Sequence, residues 1–438
     1  MATYNPRLVG LTADLHQTLV AEPSKDRPTP ENSSDEDIKE CTTHEADGGS
    51  KYFKNAHWSP DGTTIVASSA DNTLRSFILP TDLLTSSTPH KLEPYTSHST
   101  PEPTSATAFY PLFSLQNPAS TLFLASLRSL PIRLYSPFAP SKIASYPLVS
   151  PTTEAFIAPY SLLFSTENPN HFFAGSDSCI SSFDIQRDGG GPVSRMHTTT
   201  SKRGSTGTGI KGIVSALGMS ADGVLAAGTF TRSVGLYDDH GNGGTVAVFP
   251  LQSNSDRKSG EEGVGQGTGI TQLLWSECSR YLCVVERGSD GIGVWDIRGA
   301  GRRLAWLKGR NARTPQRLGA EVVGHEVWAG GTDGCVRVWE GLGTGEGIVD
   351  PIWQFRAHDG ASNFYSIISF DGVTTERLIC LIDSVCATTL HSSGSVLATA
   401  SGQHHFPRRC RDGTGEESDE DKQEMEEMRD SNLKLWAL

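Results

Sequence analysis

The sequence lacks the signatures of most enzymes, metalloproteins and membrane helices. No run approaches the ~18 apolar residues of a membrane-spanning helix, and the start MATYNPRLVG lacks the charged end and apolar core of a secretory leader. There is no GxSxG elbow, no GxxxxGK[ST] loop and no HExxH helix, so serine-hydrolase, P-loop and zincin chemistry each lack their carrier. Gly207, Gly209 and Gly212 match a dinucleotide fingerprint by letters alone, because they precede a strand pattern instead of joining a strand to a helix. The eight cysteines, at 41, 179, 278, 283, 335, 380, 386 and 410, form no CxxC pair. They read as reduced thiols of a cytosolic or nuclear protein. Cys410 lies near His404 and His405 but has no second cysteine at ligand spacing, so no metal site is expected. His57, His325 and His391 stand singly. The expectation is a soluble, non-secreted, non-catalytic chain without a cofactor.

What is present is a repeat. Seven segments end on an aromatic residue behind a turn and a β-prone run: SSADNTLRSF to Phe77, ASLRSLPIRLY to Tyr135, GSDSCISSF to Phe183, GTFTRSVGLY to Tyr237, RGSDGIGVW to Trp295, GGTDGCVRVW to Trp339 and NLKLW to Trp436. The first six anchors are 58, 48, 54, 58 and 44 residues apart, near the roughly 40–45 of a WD-type blade with surface loops added. The fold class expected is all-β, a seven-bladed WD40-type β-propeller with a disordered acidic N-terminal tail. Turns such as Ser59-Pro-Asp-Gly62, Ser220-Ala-Asp-Gly223 and Ser276-Glu-Cys-Ser279 separate paired apolar strands. Asp71, Asp177 and Asp333 each precede an anchor by six residues. A short acceptor there closes a turn through its own backbone, so these are structural blade turns and not catalytic acids.

The net charge of −13 is unevenly placed. Residues 1–50 carry ten acids against four bases, and residues 412–430 carry ten against two, which leaves the rest of the chain at +1. The domain boundaries that follow are a disordered acidic tail over 1–50 and a propeller over 51–438, its last blade interrupted by a disordered acidic insertion at 411–431. The C-terminal strand is expected to close the ring, with Phe53 and its neighbours pairing there. The apolar stretch 364–383 does not fit the repeat and reads as an extra hairpin. Ser34 and Ser418 sit among acids, contexts suited to phosphorylation by acidophilic kinases.

The main functional signal is basic. From 298 to 317 the chain reads RGAGRRLAWLKGRNARTPQR, with Arg298, Arg302, Arg303, Lys308, Arg310, Arg313 and Arg317 and no acid. The run lies between the fifth and sixth blades, so several of these side chains are expected on one face of the disc. Guanidinium groups fork onto phosphate and stack on bases, and Trp306 offers either a platform for an unpaired base or a core residue of the fifth blade's outer strand. Arg203, in a Gly/Ser/Thr-rich loop with Arg195, Lys202 and Lys211, and Arg408, with Arg409 and Arg411, extend the candidate RNA footprint.

HWSPDG, SSADNTLRSFILP, GTFTRSVGLYD, WDIR and LATASGQ followed by HHFP and an acidic loop together resemble the telomerase Cajal body protein family, from about Tyr52 to the C-terminus. The resemblance implies a WD-repeat protein of a nuclear body that binds box H/ACA-type small Cajal-body RNA (scaRNA) and telomerase RNA, supporting ribonucleoprotein localisation and telomere maintenance. Its implied partners are those RNAs and ribonucleoprotein proteins, with no membrane and a monomeric propeller. The 364–383 insertion and the Gly/Ser-rich stretches near 200–210 and 260–269 depart from the family pattern. The competing reading is a protein-interaction scaffold, as in pre-mRNA splicing or a ubiquitin-ligase complex.

Overall fold

Each of the seven aromatic anchors sits on the third strand of its own antiparallel sheet. In chain order these strands are Thr73–Ile78, Ile132–Tyr135, Cys179–Asp184, Ser233–Tyr237, Gly291–Asp296, Cys335–Glu340 and Leu433–Ala437. The computed structural model describes residues 4–15, 51–199, 209–251, 265–299, 302–343, 345–358, 361–370, 373–381, 384–402 and 431–438. It is a seven-bladed β-propeller of four- or five-stranded sheets, and the only helical segments among the described residues are two single 3-10 turns, Asp239–Gly241 and Ile297–Gly299.

The blades alternate small and large apolar residues because each sheet is covered on both faces by its neighbours. Phe77, Phe183, Tyr237 and Trp339 are almost wholly buried between blades, where their bulk drives association of the sheets. Indole groups tie adjacent blades together. Trp58 Nε1 of blade 1 donates to Thr389 O of blade 7 at 3.0 Å, and Trp275 Nε1 of blade 5 donates to Gly218 O of blade 4 at 3.1 Å. The turns between first and second strands follow the sequence: Gly62 and Gly223 adopt φ of 72° and 83°, and their N–H groups donate back to Ser59 and Ser220. Such a φ is open to glycine without steric cost. At Gly62 a Cβ would also strike the ring of His391.

Ring closure differs from the expectation. Arg7–Thr12 is a strand that pairs antiparallel with Leu433–Ala437 and supplies the outer strand of blade 7, so the propeller starts inside the segment read as a disordered tail. Val9 is buried there, in one cluster with Leu433 and Leu435. Residues 16–50 lie outside the described residues. Phe53–Trp58 does not pair at the closure; it is the inner strand of blade 1, joined to Thr64–Ser69. Two short parallel strands cover outer edges, His90–Leu92 on Arg7–Thr12 and Gly347–Val349 on Arg303–Lys308, which removes free hydrogen-bonding edges. Ala361–Phe370 and Val373–Leu381 form a separate antiparallel hairpin.

In each blade the second-to-third connection and the connection to the next blade's inner strand leave from the same end, because four antiparallel strands alternate direction. The strands that flank 16–50, 200–208, 252–264, 359–383 and 403–430 all begin or end at this face.

Candidate nucleic-acid interface

The basic run does not share one face. Its middle, Arg303–Lys308, is the outer strand of blade 5, paired to Gly291–Asp296, and a six-residue strand spans about 20 Å. Arg298 and Arg302 therefore sit at the opposite face from Arg310, Arg313 and Arg317. Arg298 is spent on Asp296, with Nη2 donating at 2.6 Å and Nε at 3.0 Å. Arg302 is exposed. Arg303 lies with its guanidinium carbon 5.4 Å from the centre of the Trp306 ring. Trp306 is 3% exposed, so it is a core residue and not a base platform. The alternation of the strand turns its ring inward. Lys308 pairs with Asp350 at 3.1 Å, and Arg313 with Asp290.

Arg310 is also corrected from the footprint, because it is 1% exposed. Its Nη2 donates to Leu318 O at 2.7 Å and Gly319 O at 3.2 Å, and its Nε to Gly330 O at 3.2 Å. Burial lowers its pKa to about 10. It therefore fixes the chain just beyond Arg317 and has no access to a phosphate.

Arg317 instead reaches the central channel, a cavity of about 870 Å³ enclosed by the inner strands and lined near its mouth by Lys54, Ser105, Tyr160, Phe230, Arg287 and Arg317. The guanidinium carbons of Arg287 and Arg317 lie 4.9 and 5.9 Å from the centre of the Phe230 ring, and Tyr160 meets that ring edge-on at 6.0 Å. Arg317 Nη1 donates to Ser105 O at 3.3 Å, while the buried Nε of Arg287 has no hydrogen-bond partner. Among the described residues neither arginine makes an ion pair. Glu286, next to Arg287 in sequence, is held by Arg232 at 2.6 and 3.1 Å. Desolvation lowers the Arg287 pKa; desolvation, then the Arg287 charge, lowers that of Arg317 to about 10.

No family model matches the chain. It is 30% identical over 296 residues to the guanine nucleotide-binding protein negative regulator 1 of Schizosaccharomyces pombe, covering 66% of this chain and 70% of that one. It is 28% identical over 376 residues to human telomerase Cajal body protein 1, covering 84% and 60%, and 25% identical over 366 residues to the Drosophila melanogaster homolog, covering 81% and 58%. The chain belongs to the telomerase Cajal body protein family. It spans about 60% of the length of the family members it matches, a family of generally non-catalytic WD40 propellers.

In this family member, Arg195 is exposed and donates to Val149 O at 2.7 Å, and Lys211 is exposed on the channel-mouth face. Arg203, Arg408, Ser34 and Ser418 lie outside the described residues. Asp71 accepts from the N–H of Thr73 at 3.2 Å and from Arg75 at 2.5 Å. Asp333 accepts from the N–H of Cys335 at 3.3 Å and from Arg337 at 2.5 Å. Among the described residues Asp177 accepts only from Ser178 Oγ, at 3.1 Å. Among the described residues no group of three or more His, Cys, Asp or Glu is placed to hold a metal ion. Sequence reading missed Arg287, Phe230 and Tyr160. The available signal was that RGSDGIGVW has Ser289, not Asp, six residues before its anchor.

Proposed function

We propose that this propeller binds small nuclear RNA of the box H/ACA, Cajal-body type, and telomerase RNA, without catalysis, and supports their localisation in a nuclear body with other ribonucleoprotein proteins. The observation that carries the reading is the charge balance of the channel-mouth face. Among the described residues there, Asp71, Glu286, Asp290 and Asp333 are each bound by an arginine, while Arg287 and Arg317 make no ion pair. Phosphate is the ligand that guanidinium groups beside aromatic rings best accommodate in single-stranded RNA. Similarity across 84% of the chain to a protein named for telomerase and the Cajal body supports the same reading.

Ultraviolet crosslinking of the tagged protein in its own cells, followed by sequencing of bound RNA, tests it. The expected result is enrichment of box H/ACA-type or telomerase RNA, with crosslinks near Phe230, Arg287 and Arg317. Recovery equal to an untagged control overturns it. A second reading, a protein-binding scaffold, is favoured by the fission-yeast relative, named as a negative regulator of a guanine nucleotide-binding protein. Under that reading the same face holds a polypeptide, and purification recovers protein without RNA.

A further inference from the structure

We propose that Arg287 and Arg317, set around Phe230 at the mouth of the central channel, form a single-phosphate subsite that seats one nucleotide of an unpaired RNA strand, with its base directed into the channel. The inference rests on the RNA reading above and assigns it a point of contact.

Two like charges share one aromatic ring in a partly desolvated site, and among the described residues no carboxylate is bound to either. In a folded protein such an arrangement costs stability unless something neutralises it. The nearest acid in sequence, Glu286, is consumed by Arg232, and the next, Asp290, by Arg313. The backbone carrying the pair is fixed on every side. The N–H of Arg287 donates to Gly269 O at 2.9 Å, its carbonyl accepts from Thr268 N–H at 2.8 Å, and Gly288 N–H donates to Thr314 O at 3.0 Å. The chain after Arg317 is held by buried Arg310 through the carbonyls of Leu318 and Gly319. The chain before it is held by Gln316, whose Nε2 donates to Gly402 O at 2.7 Å. A preorganised pair of forks binds an anion without an ordering cost.

The chemistry favours a nucleotide over a carboxylate-bearing peptide. Phosphate accepts two forked donors at once, and arginine planes and aromatic rings stack on bases. The channel lining also includes Ser68, Thr104, Thr107, Ser215 and Thr388. The Thr388 Oγ1 atom is buried without a partner. The volume of about 870 Å³ falls within the range of small-ligand pockets.

The test uses the full chain and a fluorescent single-stranded oligoribonucleotide of about 12 nucleotides, sized to the ~4–16-nucleotide footprint of a single-strand-binding module. Binding is measured by anisotropy at several salt concentrations. Arg287→Ala and Arg317→Ala are each expected to weaken binding by about tenfold or more. The double variant should lose less than the product of the two, because both groups serve one phosphate. Inorganic phosphate is expected to compete with RNA on the wild type and not on the double variant. The melting temperature should stay level or rise in each variant, since an uncompensated charge is removed; this separates lost contact from lost fold.

Unchanged RNA affinity in the double variant overturns the inference while leaving RNA binding intact elsewhere on the propeller. Failure of the wild type to bind or crosslink RNA overturns the inference together with the proposed function. An acidic peptide that binds more tightly than RNA, with the same dependence on both arginines, overturns the nucleotide assignment. Arg317→Lys keeps the charge without the fork and should restore part of the loss; full restoration would reduce the site to diffuse charge and also overturn it.

Discussion

The second-to-third turns of blades 1 and 6 and those of blades 4 and 5 occupy equivalent places on the channel-mouth face, yet their charges are arranged oppositely. In blades 1 and 6 an aspartate closes the turn and an arginine four residues later neutralises it, Asp71 with Arg75 and Asp333 with Arg337. In blades 4 and 5 the aspartate's position is held by Thr231 and Ser289, Arg232 and Arg287 stand in the same two turns, and the acids of the blade 5 turn are taken by other arginines, Glu286 by Arg232 across the blade boundary and Asp290 by Arg313. The first pair of turns is closed by ion pairs whose members satisfy each other. The second leaves Arg287 unanswered, and Arg317 arrives beside it from the following connection. One fold thus uses its second-to-third turns for stability on one side of the ring and leaves arginine charge in them on the other.

The comparison breaks most visibly at Arg310, which holds the strand after Arg317 in place. Replacing it with alanine leaves the carbonyls of Leu318, Gly319 and Gly330 without their donor in a buried site. The expected cost is about 3 kcal/mol, read as a lower midpoint in denaturant, with RNA affinity falling as a secondary effect of a displaced Arg317. If Arg310→Ala keeps its stability while RNA binding disappears, Arg310 contacts the ligand and its assignment to the interior is wrong.

Asp333 sharpens the structural side. Burial alone would raise its carboxyl, but hydrogen bonds from Arg337 and Asn311 and the Arg337 charge hold it below the ordinary aspartate value, and Asp71 behaves likewise through Arg75 and Ser69. A depressed folded-state value adds stability that is complete above the unfolded value, about 3.9, and is lost as pH falls through the folded one. Thermal melts should therefore drop on acidification below about pH 4, and Asp333→Asn should flatten part of that slope. The same variant leaves Arg337, whose side chain is 8% exposed, without its counter-ion, at about 2 kcal/mol near neutral pH. A slope identical to wild type would show that the pair contributes nothing to the acid limb.

Much of the fold was legible because each blade states itself locally. A turn, a β-prone run and an aromatic anchor within about ten residues suffice to place a third strand, and all seven anchors fall where that grammar puts them. The closure was not legible, because Arg7–Thr12 is six residues inside a polar, acidic region, and its partner Leu433–Ala437 lies more than 400 residues away. The basic run was found by composition, but composition does not say that a strand crosses its middle and sends its ends to opposite faces. Arg287 was hidden by its neighbour, since in sequence Glu286 looks like its partner. Only the folded ring shows that Glu286 belongs to Arg232, from the preceding blade.

The smallest expected effect is at Asp177, which shares its position with Asp71 and Asp333, six residues before the anchor. Four residues after it stands Ser181 where the other two blades have arginine. Asp177 is exposed, and among the described residues its carboxylate accepts only from Ser178 Oγ, so no described buried group loses a partner when it is removed. Asp177→Ala should shift stability by less than about 0.5 kcal/mol, measured by denaturant unfolding beside Asp333→Ala in the same buffer. Near-silence at 177 with a large loss at 333 would locate the energy of these turns in the aspartate–arginine pair. A loss of equal size at both would instead locate it in the aspartate's own turn, and the contrast between the ion-paired and the unneutralised side of the ring would then have to rest on Arg287 and Arg317 alone.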